Sequence, residues 1–446
     1  MTSMTVWNDE PTKQAPPESS TPPADTPLPR FLQESIEQAL TDTRIAIIEG
    51  ARQVGKSTLA AMIAAPRHGL IANLDRDLTR RAALTDPTTF VQQNPNGLLV
   101  IDEVQRTPDL IFALKAAVDE DPRPGRFLIT GSADLLSLKG LDSLAGRAET
   151  FALEGFSQGE LRHHKEQFID RLLAGDLHLT HSSTLRRSDY LDLACAGGFP
   201  QARTRTQQRR NDWNHAYLRQ LTRRDAPDLA GLTRLADLPR LIARVAATAG
   251  TQFVATGVAK DLQWPRTTLA PYLELLKTLF VIRELPGWSS SLVSRTTTHP
   301  KLYVGDSGLA ASLLGVTPSS LAPDHTHANR AGPILETFAL AEIAKQRSWS
   351  EAKPALFHFR DQAQREVDIV LEQQDGTIAA LEIKAAATIT PHDMRGLARL
   401  RDQAKDRFAA GILLYTGPTS EPLGPRLAAV PLDALWSPPR RGTIGR

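Results

Sequence analysis

The chain has a single cysteine, Cys195, among its 446 residues. That excludes an intrachain disulfide and any cysteine-based zinc site, and it suits a reducing compartment. No apolar run reaches membrane-spanning length, and the polar N-terminus has no apolar secretory core. No membrane partner is therefore expected, and the expected location is cytoplasmic. An excess of one charge is missing too: 52 Lys and Arg against 50 Asp and Glu leave a net charge of +2. The whole-chain balance argues neither for nor against nucleic acid, so any basic surface has to be local. Residues 1–29 have few large apolar side chains and many Pro, Thr and Ser; a disordered tail is expected there. The remainder has ordinary globular composition, with 41% hydrophobic residues, and is long enough for two or three domains.

What is present is concentrated in a few places. Gly50-Ala51-Arg52-Gln53-Val54-Gly55-Lys56-Ser57-Thr58 matches G-x-x-x-x-G-K-[ST] between an apolar strand, Ile45-Ala46-Ile47-Ile48, and a helical stretch. The glycines let backbone N–H groups close on phosphates, and a helix N-terminus adds positive potential. Lys56 is expected to pair with the β/γ-phosphates of ATP, and Ser57 to offer an oxygen to Mg²⁺. Leu98-Leu99-Val100-Ile101 ends in Asp102-Glu103. Acids at the carboxyl end of a parallel strand face the ligand crevice. Asp102 is expected to hold Mg²⁺ through water and Glu103 to polarise the attacking water. A third strand ends in Thr130-Gly131-Ser132, where Thr130 or Ser132 either senses the γ-phosphate or forms a plain turn. With two more strands, around Ile71 and Phe151, the pattern predicts a five-stranded, doubly wound α/β layer over residues 30–156.

Residues 157–235 read as helical and polar, broken at Gly197-Gly198-Phe199-Pro200. Arginines crowd around Trp213 and Tyr217 between Arg203 and Arg224. They read as a solvated helix face, or else as a nucleic-acid surface for DNA or RNA. Over residues 236–310 the pattern is helix, short helix, a turn at Gln263-Trp264-Pro265, longer helix and β-ribbon, the layout of a winged helix. Such a module reads DNA or only mediates packing and protein contacts.

Residues 311–436 carry a third constellation. Glu366-Val367-Asp368-Ile369-Val370-Leu371 and Ile378-Ala379-Ala380-Leu381-Glu382-Ile383-Lys384 flank a turn at Asp375-Gly376 and read as a hairpin. Pairing brings Asp368 near Glu382 and Lys384, and Glu336 on an upstream helix can point at the same spot. Carboxylates beside a lysine suit Mg²⁺-assisted phosphodiester hydrolysis, with Glu336, Asp368 and Glu382 as a second metal site. The plain alternative is a surface hairpin with ordinary charges.

Taken together, these residues resemble a family of prokaryotic AAA-type ATPases followed by a domain of unknown function. The resemblance rests on Gly50 to Thr58, Asn73-Leu74-Asp75, Ile101 to Arg106, Thr130-Gly131-Ser132 and Leu144-Ala145-Gly146-Arg147. In the second half it rests on Pro300 to Leu309, Glu366-Val367-Asp368 and Glu382-Ile383-Lys384. It implies an AAA-type P-loop sheet, then a helical and winged-helix segment, then a restriction-endonuclease-like α/β domain of the PD-(D/E)xK kind. In that fold Asp368, Glu382 and Lys384 fall on the motif and Glu336 on the first helix. The resemblance also puts Arg147 where related ATPases carry an arginine finger, which acts in trans and implies a homo-oligomer. The leading expectation is a Mg²⁺-dependent ATPase coupled to a nucleic-acid-binding or nuclease-like module. The rivals are an ATP-gated switch and a regulatory DNA-binding protein, each with a non-catalytic C-terminal domain.

Overall fold

The computed structural model describes residues 27–131, 140–225, 234–291, 293, 295 and 298–438. Most of the polar tail, and Ser132, lie outside the described residues. The first layer is a wholly parallel sheet in the order β2-β3-β4-β1-β5. Its strands are β1 (Ile45–Glu49), β2 (Leu70–Asn73), β3 (Leu99–Asp102), β4 (Phe127–Thr130) and β5 (Ala148–Ala152). Side chains alternate across a strand, and the two faces feed separate cores. Ile45, Ile47, Leu99, Ile101, Phe127 and Ile129 pack under the helix Leu110–Glu120. Ala46, Ile48, Val100 and Leu128 pack under the helices Leu32–Ala39 and Lys56–Ala64. Helices on both faces explain why the strands read as continuous apolar runs. Truncating a fully buried residue such as Leu99 to Ala is expected to cost about 2–5 kcal/mol.

The second core does not stop at this sheet. It continues through Tyr190, Trp213, Leu241, Tyr272 and Leu309 to Phe338, Leu381 and Trp436. One apolar interior therefore runs from the parallel layer to one face of the last sheet, whose other face packs a separate core around Val367, Val370, Leu397 and Phe408. The helices Arg187–Ala196, Pro200–Arg203 and Gln207–Gln220 break at Gly197-Gly198, as the glycines lead one to expect. A Cβ at Gly197 would lie 2.3 Å from Asp306 Oδ1, so only glycine fits there. Asp306 accepts from the Gly198 and Leu309 N–H groups at 2.7 and 2.9 Å, which fixes this break against the helix Ser307–Leu313.

Helices Leu238–Ala247, Ala255–Leu262 and Arg266–Thr278 follow, then an antiparallel ribbon of β6 (Ile282–Leu285) and β7 (Lys301–Val304). The ribbon pairs Leu285 with Lys301 and Arg283 with Tyr303. The last sheet is mixed, in the order β12-β13-β11-β10-β9-β8. Its strands are β8 (Ala355–Arg360), β9 (Glu366–Glu372), β10 (Ile378–Lys384), β11 (Phe408–Tyr415), β12 (Glu421–Gly424) and β13 (Leu427–Pro431). The expected hairpin is the antiparallel β9–β10 pair, with Leu381 opposite Ile369. The helix Ala331–Arg347 is buried almost all round, as befits a helix without a polar face.

Candidate nucleotide site and a buried charge cluster

The residue types of the phosphate loop dictate its shape. Gly50, Gln53 and Gly55 have φ of +149°, +64° and +103°. A Cβ at Gly50 would meet the Leu153 carbonyl oxygen at 2.2 Å, so close packing against the end of β5 requires glycine. Gly55 gives no side-chain cap to the helix Lys56–Ala64, which leaves its first N–H groups free for an anion. The Lys56 ammonium folds back onto the Gly50 and Ala51 carbonyls at 2.9 and 3.0 Å. Burial lowers its pKa to about 8, against the opposing pull of Glu103. Thr58, in the first turn of the same helix, is exposed.

Two neighbouring strand ends and the start of a helix converge on Asp102 at the end of β3. Ser57 Oγ donates to Asp102 Oδ1 at 2.9 Å, and Asn73 Nδ2 donates to Oδ2 at 2.8 Å. The Thr130 hydroxyl also donates to Oδ1. Asn73 stands directly opposite Asp102 in the β2–β3 register, so its role follows from sheet order. Glu103 takes a left-handed backbone, φ +61°, a conformation that costs a non-glycine residue about 1–3 kcal/mol. Its N–H reaches Thr130 Oγ1 at 3.3 Å, and Gln105 donates to its carboxylate. These are the groups that would hold ATP and Mg²⁺: loop N–H groups, Lys56, the Ser57 oxygen and the Asp102 carboxylate.

Arg30 was not foreseen. It lies just before the first helix and grips the Val54 carbonyl at 2.8 Å and the Glu154 carbonyl at 2.6 Å. Its Nε pairs with buried Glu160 at 3.1 Å. Only its place at the start of ordered sequence hinted at it. A cavity of about 330 Å³ adjoins the loop. Ala51, Val54 and Leu153 line one side, and Phe280, Arg283 and Lys345 another. Arg147 sits at the amino end of β5, beside Ile45, at the far end of the sheet from the phosphate loop. It is paired with Asp119 on the helix Leu110–Glu120.

The expected C-terminal residues are only partly brought together. Asp368 and Glu336 share a centre, and that centre is Lys301, which the sequence carries within Pro300 to Leu309 and which was not assigned to this site. The Lys301 ammonium, fully buried, lies 3.0 Å from Glu336 Oε1, 2.6 Å from Glu366 Oε1 and 3.1 Å from Asp368 Oδ1. Tyr303, two residues along the same strand face, donates to Glu336. Glu382 adjoins the cluster; burial and then Asp368 push its pKa well up. Lys384 is instead paired with Asp393. Among the described residues, no group of three or more His, Cys, Asp or Glu is arranged to hold a metal ion. The signal for Lys301 and Tyr303 was their alternation within Lys301-Leu302-Tyr303, a pattern that puts both on one strand face.

The arginine-rich stretch also divides. Trp213 and Tyr217 are buried, stacked on each other at 5.2 Å and packed on Phe199. They are core, not a platform for bases. Arg203 and Arg210 bond backbone carbonyls, while Arg209, Arg219 and Arg223 are exposed.

The parallel sheet, phosphate loop and Asp102 network define an AAA-type P-loop ATPase domain, and residues 42–162 match the model described as AAA domain. Residues 187–320 and 331–435 match two models described as domains of unknown function, DUF8612 and DUF4143. The chain belongs to the same family as uncharacterized protein Rv2008c of Mycobacterium tuberculosis and uncharacterized protein Mb2031c of Mycobacterium bovis. It is 31% identical to each over 406 residues, 90% of this chain and 82% of theirs. Among solved structures, it resembles the Walker-type ATPase PABY2304 of Pyrococcus abyssi at 14% identity and a TM-score of 0.41, covering 63% of this chain and 94% of that one. It also resembles RuvB of Thermotoga maritima at 18% identity and a TM-score of 0.27, covering 57% and 87%. Scores this low carry nothing about substrate or partner. No helix among the described residues is long and apolar enough to cross a membrane.

Proposed function

We propose that this chain binds and hydrolyses ATP with Mg²⁺ and uses nucleotide state as a switch on its C-terminal half. The observation that carries the first part is the convergence of Ser57, Asn73 and Thr130 on Asp102, with Glu103 the next residue. Ser57 and Asp102 would hold the cation, Lys56 would neutralise phosphate, and Glu103 would take a proton from the attacking water. Mg²⁺, when bound, supplies charge neutralisation on the phosphates.

The switch part is supported by how the loop is tied to later segments. Arg30 connects the loop backbone to Glu160. Arg283 of β6 pairs with Glu154, just past β5. Lys345 bonds the Phe156 carbonyl at 2.9 Å, and its partner Glu342 accepts from the Gln158 N–H at 2.7 Å. A change in the loop would reach the ribbon and the helix Ala331–Arg347 through Arg30, which bonds both the Val54 and Glu154 carbonyls. A nucleic-acid role is the second reading, supported by the helix–ribbon order over residues 238–304 and exposed Arg209, Arg219 and Arg223. Steady-state turnover with and without DNA or RNA tests both. Slow turnover that nucleic acid leaves unchanged favours the switch. Strong stimulation, or Mg²⁺-dependent cleavage, favours the second reading. No turnover under any condition removes the first proposal.

A further inference from the structure

The fold that the C-terminal sequence resembles implies a divalent cation between Asp368, Glu382 and Glu336, and the residues present do not fit one. An ammonium has three N–H donors. Lys301 donates to Glu336 Oε1 at 3.0 Å and to Asp368 Oδ1 at 3.1 Å, its ammonium forms an ion pair with Glu366 Oε1 at 2.6 Å outside hydrogen-bond geometry, and its side chain is fully buried. The other Asp368 oxygen accepts from the Ile383 N–H at 2.9 Å, and Glu336 also accepts from Tyr303. Mg²⁺ needs near-octahedral oxygens at about 2.0–2.1 Å. The space between these oxygens is filled by a nitrogen, and a second cation beside it would be repelled. The lysine of the expected motif, Lys384, is engaged by Asp393 instead.

The position of Lys301 in the chain gives this a consequence. It is the first residue of β7, opposite Leu285 of β6, and belongs to the segment 187–320, whereas its three carboxylate partners belong to 331–435. We infer that the Lys301 ammonium is the resident cation of this cluster, so the C-terminal domain takes no divalent ion there and the acids clamp the β6–β7 ribbon instead. A buried carboxylate group needs a counter-charge, and a tethered lysine supplies it from the neighbouring segment. The inference stands whether or not the chain hydrolyses ATP.

The test is Mn²⁺ binding to the nucleotide-free full chain, followed by electron paramagnetic resonance of the free ion. Wild type and Asp368→Asn are expected to give the same isotherm, with no saturable site that depends on Asp368. Lys301→Met keeps the stem and removes the charge. It is expected to gain one Mn²⁺ site, about tenfold or more tighter than any in wild type, and to lose it again when Asp368→Asn is added. A saturable wild-type site that Asp368→Asn abolishes overturns the inference. So does a Lys301→Met protein with native circular dichroism that gains no site. If Lys301→Met does not fold, the wild-type and Asp368→Asn isotherms decide alone.

Discussion

Ser57 Oγ and Asp102 Oδ1 are 2.9 Å apart, although 44 residues separate them in sequence between the start of a helix and the end of β3. The fold itself brings together the two groups that would share Mg²⁺, with the Ser57 hydroxyl donating to the Asp102 carboxylate. Preorganisation of this kind reduces the ordering cost of binding.

Lys56→Ala and Glu103→Gln are expected to fail differently. Lys56 is the loop's phosphate-neutralising side chain, so its loss removes nucleotide binding. Glu103→Gln keeps the shape of the side chain and the contact with Gln105 but removes the base, so ATP is retained and turnover falls by about 10²-fold or more. Affinity and turnover are measured separately. Wild-type hydrolysis by Glu103→Gln would show that the water is activated elsewhere.

Nucleotide affinity should depend on pH through Lys56. Burial holds its pKa at about 8 in the free protein, and bound phosphates stabilise the charged form. The free protein therefore loses this proton above pH 8 while the complex keeps it. Affinity is expected to be flat below pH 7 and to fall by up to about tenfold per unit above 8, with proton uptake on binding. Calorimetry at pH 9 in buffers of different ionisation enthalpy reads the uptake directly; zero uptake rejects the assignment.

Arg147 is paired with Asp119 at the end of the sheet away from the chain's own loop. If it serves a neighbouring copy, Lys56→Ala and Arg147→Ala proteins, each inactive alone, should recover turnover when mixed. An arginine finger contributes on the order of 10³-fold. A monomer with full activity, or mixtures that stay inactive, would leave Arg147 as a surface ion-pair residue.

Glu166 gives a stability test. Its Oε1 accepts from the Gly159 N–H at 2.7 Å, and burial, with Glu342 nearby, raises its pKa to about 8. The folded state thus holds a proton that the unfolded state releases near pH 4.5. The resulting stability is present at low pH and lost as pH rises toward and through 8. Glu166→Gln keeps the acceptor and cannot ionise. It should match wild-type Tm near pH 5 and exceed it at pH 8.5. Parallel Tm profiles would show that Glu166 ionises normally.

Local patterns made the ATPase half readable. Strand, glycine-rich loop and helix follow in order within Ile45 to Ala64, and the acids at Asp102-Glu103 end an apolar run, so short-range chemistry points to a phosphate site before any fold is known. The β9–β10 hairpin was legible for the same reason: alternation and an Asp-Gly turn are local. Other facts depend on which segments meet. Asn73 and Thr130 become partners of Asp102 only because β2 and β4 flank β3 in the sheet. Arg30 braces the loop because its segment packs beside the end of β5. Trp213 and Tyr217 look like a nucleic-acid platform among arginines, yet burial against Phe199 makes them core. The cluster around Asp368 shows the division most clearly. Sequence places its acids by motif and nominates Lys384, the nearest lysine along the strand. Tertiary structure brings Lys301 from a ribbon some 65 residues earlier, 67 positions from Asp368, because a buried carboxylate takes the counter-charge that packing delivers and not the one nearest in the chain.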